Sequence, residues 1–501
     1  MGGDQQRGTL TLGIWFSEKR KSKVEITCKL RNRNRDVERS SIRKISDWLW
    51  EIPQSYREDM RVPARFYASE SMLAQILADR SLEQLVNVAT LPGIRLHALA
   101  MPDIHEGYGF PIGGVAAFDP DEGIISPGGI GYDINCGVRL LRTGDHFAEV
   151  RDRIPDLARE IYHQVPSGVG HGNRITFSPE QLDEILHGGA RYMVESGYGE
   201  QEDLQHLESG GVLDAADPEL VSQHARQRGL DQVGTMGAGN HFVEIDRITS
   251  IFDTAAADRM GLFEGQVVIQ IHTGSRGLGH QIATDYIKNM NRVMPGYGIR
   301  VPDRELACVP FRSPEGQAYF RAMSAGANFA WANRQLITWE IRRAWSTLFS
   351  SPPPQVVYDV AHNVAKLEMH TLGSRSMELL VHRKGATRAF PGQPVIIPGS
   401  MGTGSFVLEG APGAMLESFG SSCHGAGRRM SRTRAKHMIQ GSHLRKVLEE
   451  QGIAVQAGSM SGLAEEAPEA YKDISEVVDT VAAAGIARKV AQLIPVGIMK
   501  G

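Results

Sequence analysis

The chain has 501 residues and a formal net charge of −4, which excludes a generic nucleic-acid binder held by overall basicity and leaves any polyanion site to a local surface. Glycine supplies 55 of the 501 residues (55/501, 11%) against a typical ~7%, in short runs of the kind that build tight loops beside a ligand. No apolar stretch approaches the ~18 residues of a membrane span, and Cys28, Cys136, Cys308 and Cys423 form no CxxC pair, so the expectation is a protein of the reducing cytoplasm with no membrane association and no disulfide framework.

Residues 1–43 hold eleven Lys/Arg against five Asp/Glu with little apolar periodicity and read as a basic, flexible extension, either a nucleic-acid arm or a solvated tail. From Asp47 the chain reads as folded, and Ser81 and Gln84 make a capping-box pattern ahead of Leu85, Val86 and Val88 that predicts a short helix. Gly131-Tyr-Asp-Ile-Asn-Cys-Gly137 sets Asp133 and Cys136 three apart in a glycine-flanked loop. Residues 145–235 are polar and mixed and read as helices and surface insertions without catalytic content; His163, His171, His206 and His224 fall there and read as surface histidines. Gly237-Ala-Gly-Asn-His241 adds a histidine in a turn, followed by Glu244. The β-branched runs Val267–Ile271 and Val356–Val360 predict buried strands, each followed closely by a histidine, His272 and His362. Between them Ser313-Pro-Glu315 predicts a helix start, with Tyr319, Met323, Ala327, Ala330, Ile337 and Ile341 at helical spacing and Pro352 as the stop.

Taken singly, each of these histidines suits a structural role. Together Asp133, Cys136, His241, His272 and His362 form a borderline-soft N/O/S donor set able to hold Mn, Zn or Co, and a thiolate shared by two ions would set up a clamp for a phosphate. Further on, His382–Arg388, Pro398–Ser405 and His424–Arg428 combine glycine with cations and hydroxyls, the groups a triphosphate requires when no GxxxxGK[ST] loop is present. In Phe419-Gly-Ser-Ser-Cys-His-Gly-Ala-Gly-Arg428 a histidine between small residues presents an imidazole, a side chain ordinarily of pKa ~6.5 and largely neutral at pH 7, able to attack phosphorus without an auxiliary base. Arg428, Arg429, Arg432, Arg434 and Lys436 then run without an acid, a path for an RNA backbone or a solvated helix face.

Seven ordered segments resemble the RtcB RNA ligases: Gly131-Tyr-Asp-Ile-Asn-Cys-Gly-Val-Arg139, Gly237-Ala-Gly-Asn-His241, His272-Thr-Gly-Ser-Arg276, Tyr358-Asp-Val-Ala-His-Asn363, Lys384-Gly-Ala-Thr-Arg388, Pro398-Gly-Ser-Met401 and Cys423-His-Gly-Ala-Gly-Arg428. The resemblance runs from about residue 44 to Gly501 and marks that stretch as one ligase domain; residues 1–43 lie outside it. The resemblance implies two Mn(II) ions, one on Asp133, Cys136 and His241 and one on Cys136, His272 and His362, with Cys136 as the bridge. It implies His424 as a guanylylated nucleophile, and GTP contacts at Asn240, His241, Phe242, Val243, Glu244, His362, Asn363, Pro398, Gly399, Ser400, Met401, Ser405, Gly425, Ala426, Gly427, Arg428 and Lys500, with Glu244 suited to the guanine N1 and N2 donors.

The implied activity is GTP- and Mn(II)-dependent joining of RNA 3'-phosphate or 2',3'-cyclic phosphate ends to 5'-hydroxyl ends, in tRNA splicing, RNA repair or both, with archease as a candidate activating partner. A dinuclear phosphoesterase would use the same metals without nucleotide loops or a reactive histidine, and a non-catalytic RNA-binding subunit would lack a ligand or His424. The fold expected is α+β: a single large domain with a mixed β-sheet core and a deep metal-lined cleft, because donors spread from Asp133 to His424 require one compact unit.

Overall fold

The computed structural model describes residues 37–168 and 172–501. Helices and mixed sheets alternate along the chain, the α+β class expected, and two large sheets carry the architecture. The first runs in the order Gln355–Ala361, Gly137–His146, Gln266–Thr273, Phe242–Ile251, Ala487–Lys500, Ser405–Gly410, Pro394–Ile397, with Ala454–Ala457 added parallel to the end of Ala487–Lys500. The second runs Arg43–Lys44, Leu49–Ile52, Ala64–Tyr67, Ala98–His105, Ile112–Phe118, Arg375–Lys384, Asn363–Leu372. Its one parallel pair joins Ala64–Tyr67 to Ala98–His105.

Both apolar β-branched runs are strands, and their burial on both faces explains why they read as continuous rather than alternating. The helix Pro314–Leu348 starts as expected, Ser313 Oγ accepting from the Gly316 amide and Pro314 at the first position. Tyr319, Met323, Ala327, Ala330, Ile337 and Ile341 are all fully buried. The helix stops at Leu348, where Phe349 turns extended, so Pro352 lies beyond the stop and does not make it. No helix among the described residues is long and apolar enough to cross a membrane.

Three other expectations change. The helix Ser81–Val88 is present, but no capping box forms: Ser81 is its first residue, the Ser81 amide donates to Asp79 Oδ1, and Gln84 Nε2 donates to the Gly107 carbonyl. Packing also crosses the boundary drawn at residue 43, since Val37 and Ile42 are buried in the main core and Arg43–Lys44 pairs with Trp50 and Glu51; residues 1–36, with Cys28, and residues 169–171, with His171, lie outside the described residues. Residues 145–235 do more than cover the surface. Their buried carboxylates Asp203 and Glu208 take Arg342 (2.7 Å) and Lys366 (2.5 Å), and Glu208 also accepts from the Ala361 amide, fixing the residue before His362.

Beneath the strand ends lies a fully buried charge cluster. Asp359 accepts from Arg139 Nε (2.8 Å), from Arg334 Nε and Nη2 (2.8 Å each) and from Trp331 Nε1 (3.1 Å), the last two residues sharing one face of the long helix at i, i+3. Burial alone would raise the Asp359 carboxyl, but the two guanidiniums outweigh it and hold it below the usual range. A depressed folded pKa contributes stability that is complete above the unfolded value of ~3.9 and drains as pH falls through the folded one. Asp359→Asn leaves two guanidiniums buried against one neutral amide, and urea unfolding at pH 7 should show a loss of about 3–5 kcal/mol, a deficit that narrows at low pH.

Candidate active site

Strand register assembles the site. Val138 and Phe242 both pair with His272, Gly137 pairs with Thr273 and Ala361, and Lys500 pairs with Phe242. Residues at or just before these strand ends, Cys136, His241, His272, His362 and Lys500, therefore meet at one edge of the first sheet. His362 sits between Gln355–Ala361 of that sheet and Asn363–Leu372 of the other, so it stands where the two sheets meet. A cleft of about 640 Å³ opens there, lined among others by Asp133, Cys136, His272, His362, Glu244, His424 and Lys500.

Two donor groups form, Asp133/Cys136/His241 and Cys136/His272/His362, the ligating atoms of each lying within 4.8 Å of one another. Cys136 Sγ is 3.3 Å from His241 Nε2 and 3.4 Å from His272 Nε2, His272 Nε2 is 3.4 Å from His362 Nε2, and Asp133 Oδ2 is 2.8 Å from His241 Nε2. Nitrogen and sulfur lone pairs meeting tip to tip cannot all be satisfied by each other's hydrogens, and this donor set fits two divalent cations sharing the thiolate. The three Nδ1 atoms are buried with no partner among the described residues. Ring packing orients the imidazoles instead, His272 standing edge-on to His241, His362 and Phe242.

Electrostatics agrees with that fit. Burial, with the neighbouring histidines, holds His272 and His362 well below the ordinary range, so both rings are neutral and free to offer a lone pair to a cation. Burial, with Asp133 beside it, pushes the Cys136 thiol well up, so a thiolate needs a cation in contact with it. Burial also acts to raise Asp133, but His241 and Cys136 outweigh it and hold the carboxylate at about 2.

His424 follows the short strand Ser421–Cys423, and its ring lies 4.9 Å from that of His362. Its partner is a residue no sequence pattern singled out: Asp103 Oδ2 accepts from the His424 amide (3.0 Å) and sits 2.6 Å from its Nδ1. Asp103 is fully buried in Ala98–His105, a polar residue interrupting an otherwise apolar strand, and that interruption was the available signal. Gly427, at φ +73°, lies against it; a Cβ there would be driven into the Asp103 carbonyl. Lys472 braces the same strand, donating to the carbonyls of Pro102 (3.1 Å) and Ile104.

Other expected residues sort by where their side chains go. Asn240, Phe242, Glu244, Asn363, Pro398–Met401 and Gly425–Arg428 line the cleft. Val243, one residue out of phase with Phe242 and Glu244, points into the main core. Ser405 is buried behind the Pro398–Met401 loop, its Oγ accepting from the Gly399 amide (3.0 Å), while Thr403 Oγ1 takes the Ser400 amide (2.8 Å); both amides are thus occupied within the loop. The Gly425, Ala426 and Gly427 amides have no protein partner among the described residues. Asn363 ties the Asp133 carbonyl (3.0 Å) to the Gly385 amide (2.9 Å).

The cations of His382–Arg388 form no phosphate cradle, because Arg383 is spent on Glu368, Lys384 on the Tyr108 and Phe110 carbonyls, and Arg388 on Gln393. The basic run is partly neutralised by a distant acidic pair: Arg428 meets Glu466 (3.2 Å), Arg432 meets Glu465 and Glu466, and Lys436 meets Glu465. Arg429 and Arg434 have no acidic partner among the described residues. Lys500 is no frayed end: it is buried in the Ala487–Lys500 strand, Nζ donating to the His241 carbonyl (3.2 Å), its pKa lowered by burial against the opposing pull of Glu466 and Glu244.

Removing the shared donor should cost more than removing a terminal one. With Co(II) as a probe, the wild type should bind two ions and show thiolate charge-transfer absorption; His362→Ala should retain one ion with that band, and Cys136→Ala should lose the band and both tight sites. Equilibrium dialysis with absorption spectroscopy checks this.

The comparisons with known proteins follow the same lines. A family described as tRNA-splicing ligase RtcB matches residues 84–501. A "tRNA-splicing ligase RtcB" of Thermococcus kodakarensis is 52% identical over 477 residues, covering 92% of this chain and 99% of the relative; that of Archaeoglobus fulgidus is 50% identical with the same coverage. An "RNA-splicing ligase RtcB" of Mycobacterium tuberculosis is 49% identical, covering 83% of this chain and 100% of the relative. With a family match over most of its length and relatives near half identity over 83–92% of it, this chain belongs to the RtcB family.

Proposed function

We propose that this RNA ligase joins RNA 3'-phosphate or 2',3'-cyclic phosphate ends to 5'-hydroxyl ends through a guanylate on His424, using GTP and Mn(II), in tRNA splicing, RNA repair or both. The observation that carries the reading is the 2.6 Å contact of Asp103 with His424 Nδ1 beside the metal donors. A carboxylate on Nδ1 holds the ring hydrogen there and leaves the lone pair on Nε2. A histidine so prepared has a free Nε2 lone pair for attack on phosphorus, and neither donor group includes it.

His424 Nε2 attacks the α-phosphorus of GTP; the bond to the β-phosphate oxygen breaks and pyrophosphate leaves. An oxygen of the RNA 3'-phosphate then attacks the same phosphorus, the phosphorus–nitrogen bond breaks, and His424 is restored. The 5'-hydroxyl of the second RNA finally attacks the activated 3'-phosphate, forming the phosphodiester and releasing GMP. A cyclic end is first hydrolysed to the 3'-phosphate: the oxygen of a water bonds to phosphorus, the bond from phosphorus to the 2'-oxygen breaks, and that oxygen takes up a proton.

Two cations on the Asp133, Cys136, His241, His272 and His362 donors would offset the negative charge that develops on the phosphoryl oxygens. The unoccupied amides of Gly425–Gly427 suit an α-phosphate held over His424. Glu244, its carboxyl pushed up by burial and by Asp246, is positioned to read a guanine edge, whose two N–H donors stabilise the ionised carboxylate. RNA and GTP are the substrates, archease is a candidate activator, and the buried free thiols Cys136, Cys308 and Cys423 suit the cytoplasm.

Incubation with α-labelled GTP and Mn(II), followed by denaturing electrophoresis, should label the wild type, whereas γ-labelled GTP should not. His424→Ala should take no label, and Asp103→Asn, which presents an amide to Nδ1, should slow labelling by about 10²–10⁴-fold. A wild type that takes no label even with archease overturns the reading. Glu244→Ala should narrow the preference for α-labelled GTP over ATP by at least about tenfold, measured as the ratio of initial labelling rates.

A further inference from the structure

Beside the metal donors stand three rings that neither the core nor the chemistry above uses. Tyr108 follows Gly107 of the cleft lining, Tyr132 precedes Asp133, and His280 is carried on the helix Arg276–Val293. Tyr108 and Tyr132 meet edge-on at 5.2 Å, and Tyr132 and His280 stack nearly parallel at 4.8 Å and 24°. Neither tyrosine belongs to the hydrophobic clusters or to the partly buried residues packed on them, both are half-buried, and His280 is exposed. Three rings from three separate segments thus make a ladder at the surface, with Tyr132 of the metal loop as its middle rung, Tyr108 as its inner end and His280 as its outer end in solvent.

Charge around the ladder suits a nucleic acid strand at its outer end. Partial burial, with exposed Arg228 beside it, lowers the His280 pKa against the opposing pull of Asp133, so the ring is a neutral stacking surface with a cation beside it. Asp133 adjoins the middle ring and belongs to the metal-donor group, while Glu305 and Asp303 act on Tyr108, where Lys384 Nζ also lies 5.9 Å over the ring. Aromatic faces backed by arginine hold unpaired bases without regard to sequence, because every base has a π-face.

We propose that Tyr108, Tyr132 and His280 form a base-stacking subsite for the last nucleotides of the RNA strand that carries the 3'-phosphate. The inference rests on the RNA-ligase reading. It assigns the 3'-phosphate strand because Tyr132 is bonded directly to Asp133, so a terminal phosphate at the metal donors brings its own nucleoside to the ladder. Sequence tolerance follows from the same geometry, since the ladder offers faces and no array of base-edge donors.

The test uses the full-length protein with Mn(II) and RNA ends bearing 2-aminopurine, whose fluorescence is quenched on stacking. Quenching is expected with the probe in the 3'-phosphate strand, at least threefold weaker in His280→Ala and Tyr132→Leu and restored in His280→Trp. In steady-state ligation His280→Ala should raise KM for that strand about tenfold, and an abasic 3'-terminal nucleotide should raise the wild-type KM similarly while adding little to the variant. Equal quenching and KM in wild type and His280→Ala overturns the ladder, and quenching confined to a probe in the 5'-hydroxyl strand overturns its assignment. A wild type that is neither guanylylated by GTP nor able to ligate defeats the underlying ligase reading instead, an outcome read in the same tubes.

Discussion

The site depends on one guanidinium. Arg334 reaches from the long helix into the space beneath the strand ends and donates to the carbonyls of Asn135 (2.8 Å) and Thr273 (2.9 Å), the neighbours of Cys136 and His272, and to Asn135 Oδ1 (3.2 Å). Its remaining donors are taken by Asp359, which lies three residues before His362. A single planar cation therefore ties the segments that carry three metal donors to one another, and its geometry is rigid where a lysine's would not be. Gly137 is bare for the same reason: a Cβ there would press on the Val360 carbonyl and on the Arg334 guanidinium. Asn135 completes the clamp at φ +51°, a left-handed conformation that a side chain adopts only under constraint, and its own side chain donates to the Ala327 carbonyl (2.7 Å).

That clamp explains how a donor set so unfavourable on its own can persist. Neutral imidazoles crowd a buried thiol with tip-to-tip lone pairs, an arrangement that a free chain would relax by turning the rings away. Strand register fixes the backbone on which the donors stand, and the packing of His272 edge-on to His241, His362 and Phe242 opposes that turn. Such a donor set is preassembled for cations, so that their binding energy would go to affinity instead of to assembly.

The strands Val267–Ile271 and Val356–Val360, the start of the long helix and the convergence of Asp133, Cys136, His241, His272 and His362 were legible in the sequence, because each depends on a local signal: β-branched runs, a cap followed by proline, glycine or a strand end beside a donor. What stayed hidden depends on residues distant in the chain. Asp103 lies more than three hundred positions from His424, Glu465 and Glu466 neutralise a basic run that looked unopposed, and the cations of His382–Arg388 were already committed to Glu368, to carbonyls and to Gln393. Ser81 shows the converse error, a good local pattern displaced by one residue because Asp79 reached the first amide instead. The polar stretch 145–235 concealed Asp203 and Glu208 because burial of a paired carboxylate leaves no mark on composition.

The candidate site lies where the two sheets meet. His362 stands between a strand of each sheet, and the ring of His424 lies against it from a loop whose anchor, Asp103, belongs to the second sheet. The candidate metal donors are set by the register of the first sheet; His424 is set by a hydrogen bond to the second. In the reaction proposed above, a relative slip of the sheets by even an ångström would separate a phosphorus at the donor cluster from His424 Nε2, and near-attack geometry tolerates little of that. Cross-links between the sheets are accordingly short and polar: Asn363 joins the Asp133 carbonyl to the Gly385 amide, and the His362 amide donates to the Cys136 carbonyl (2.9 Å). A site that draws its donor residues from one sheet and the anchor of His424 from the other exists only when both sheets fold together, and the burial of the strands at their junction supplies the rigidity.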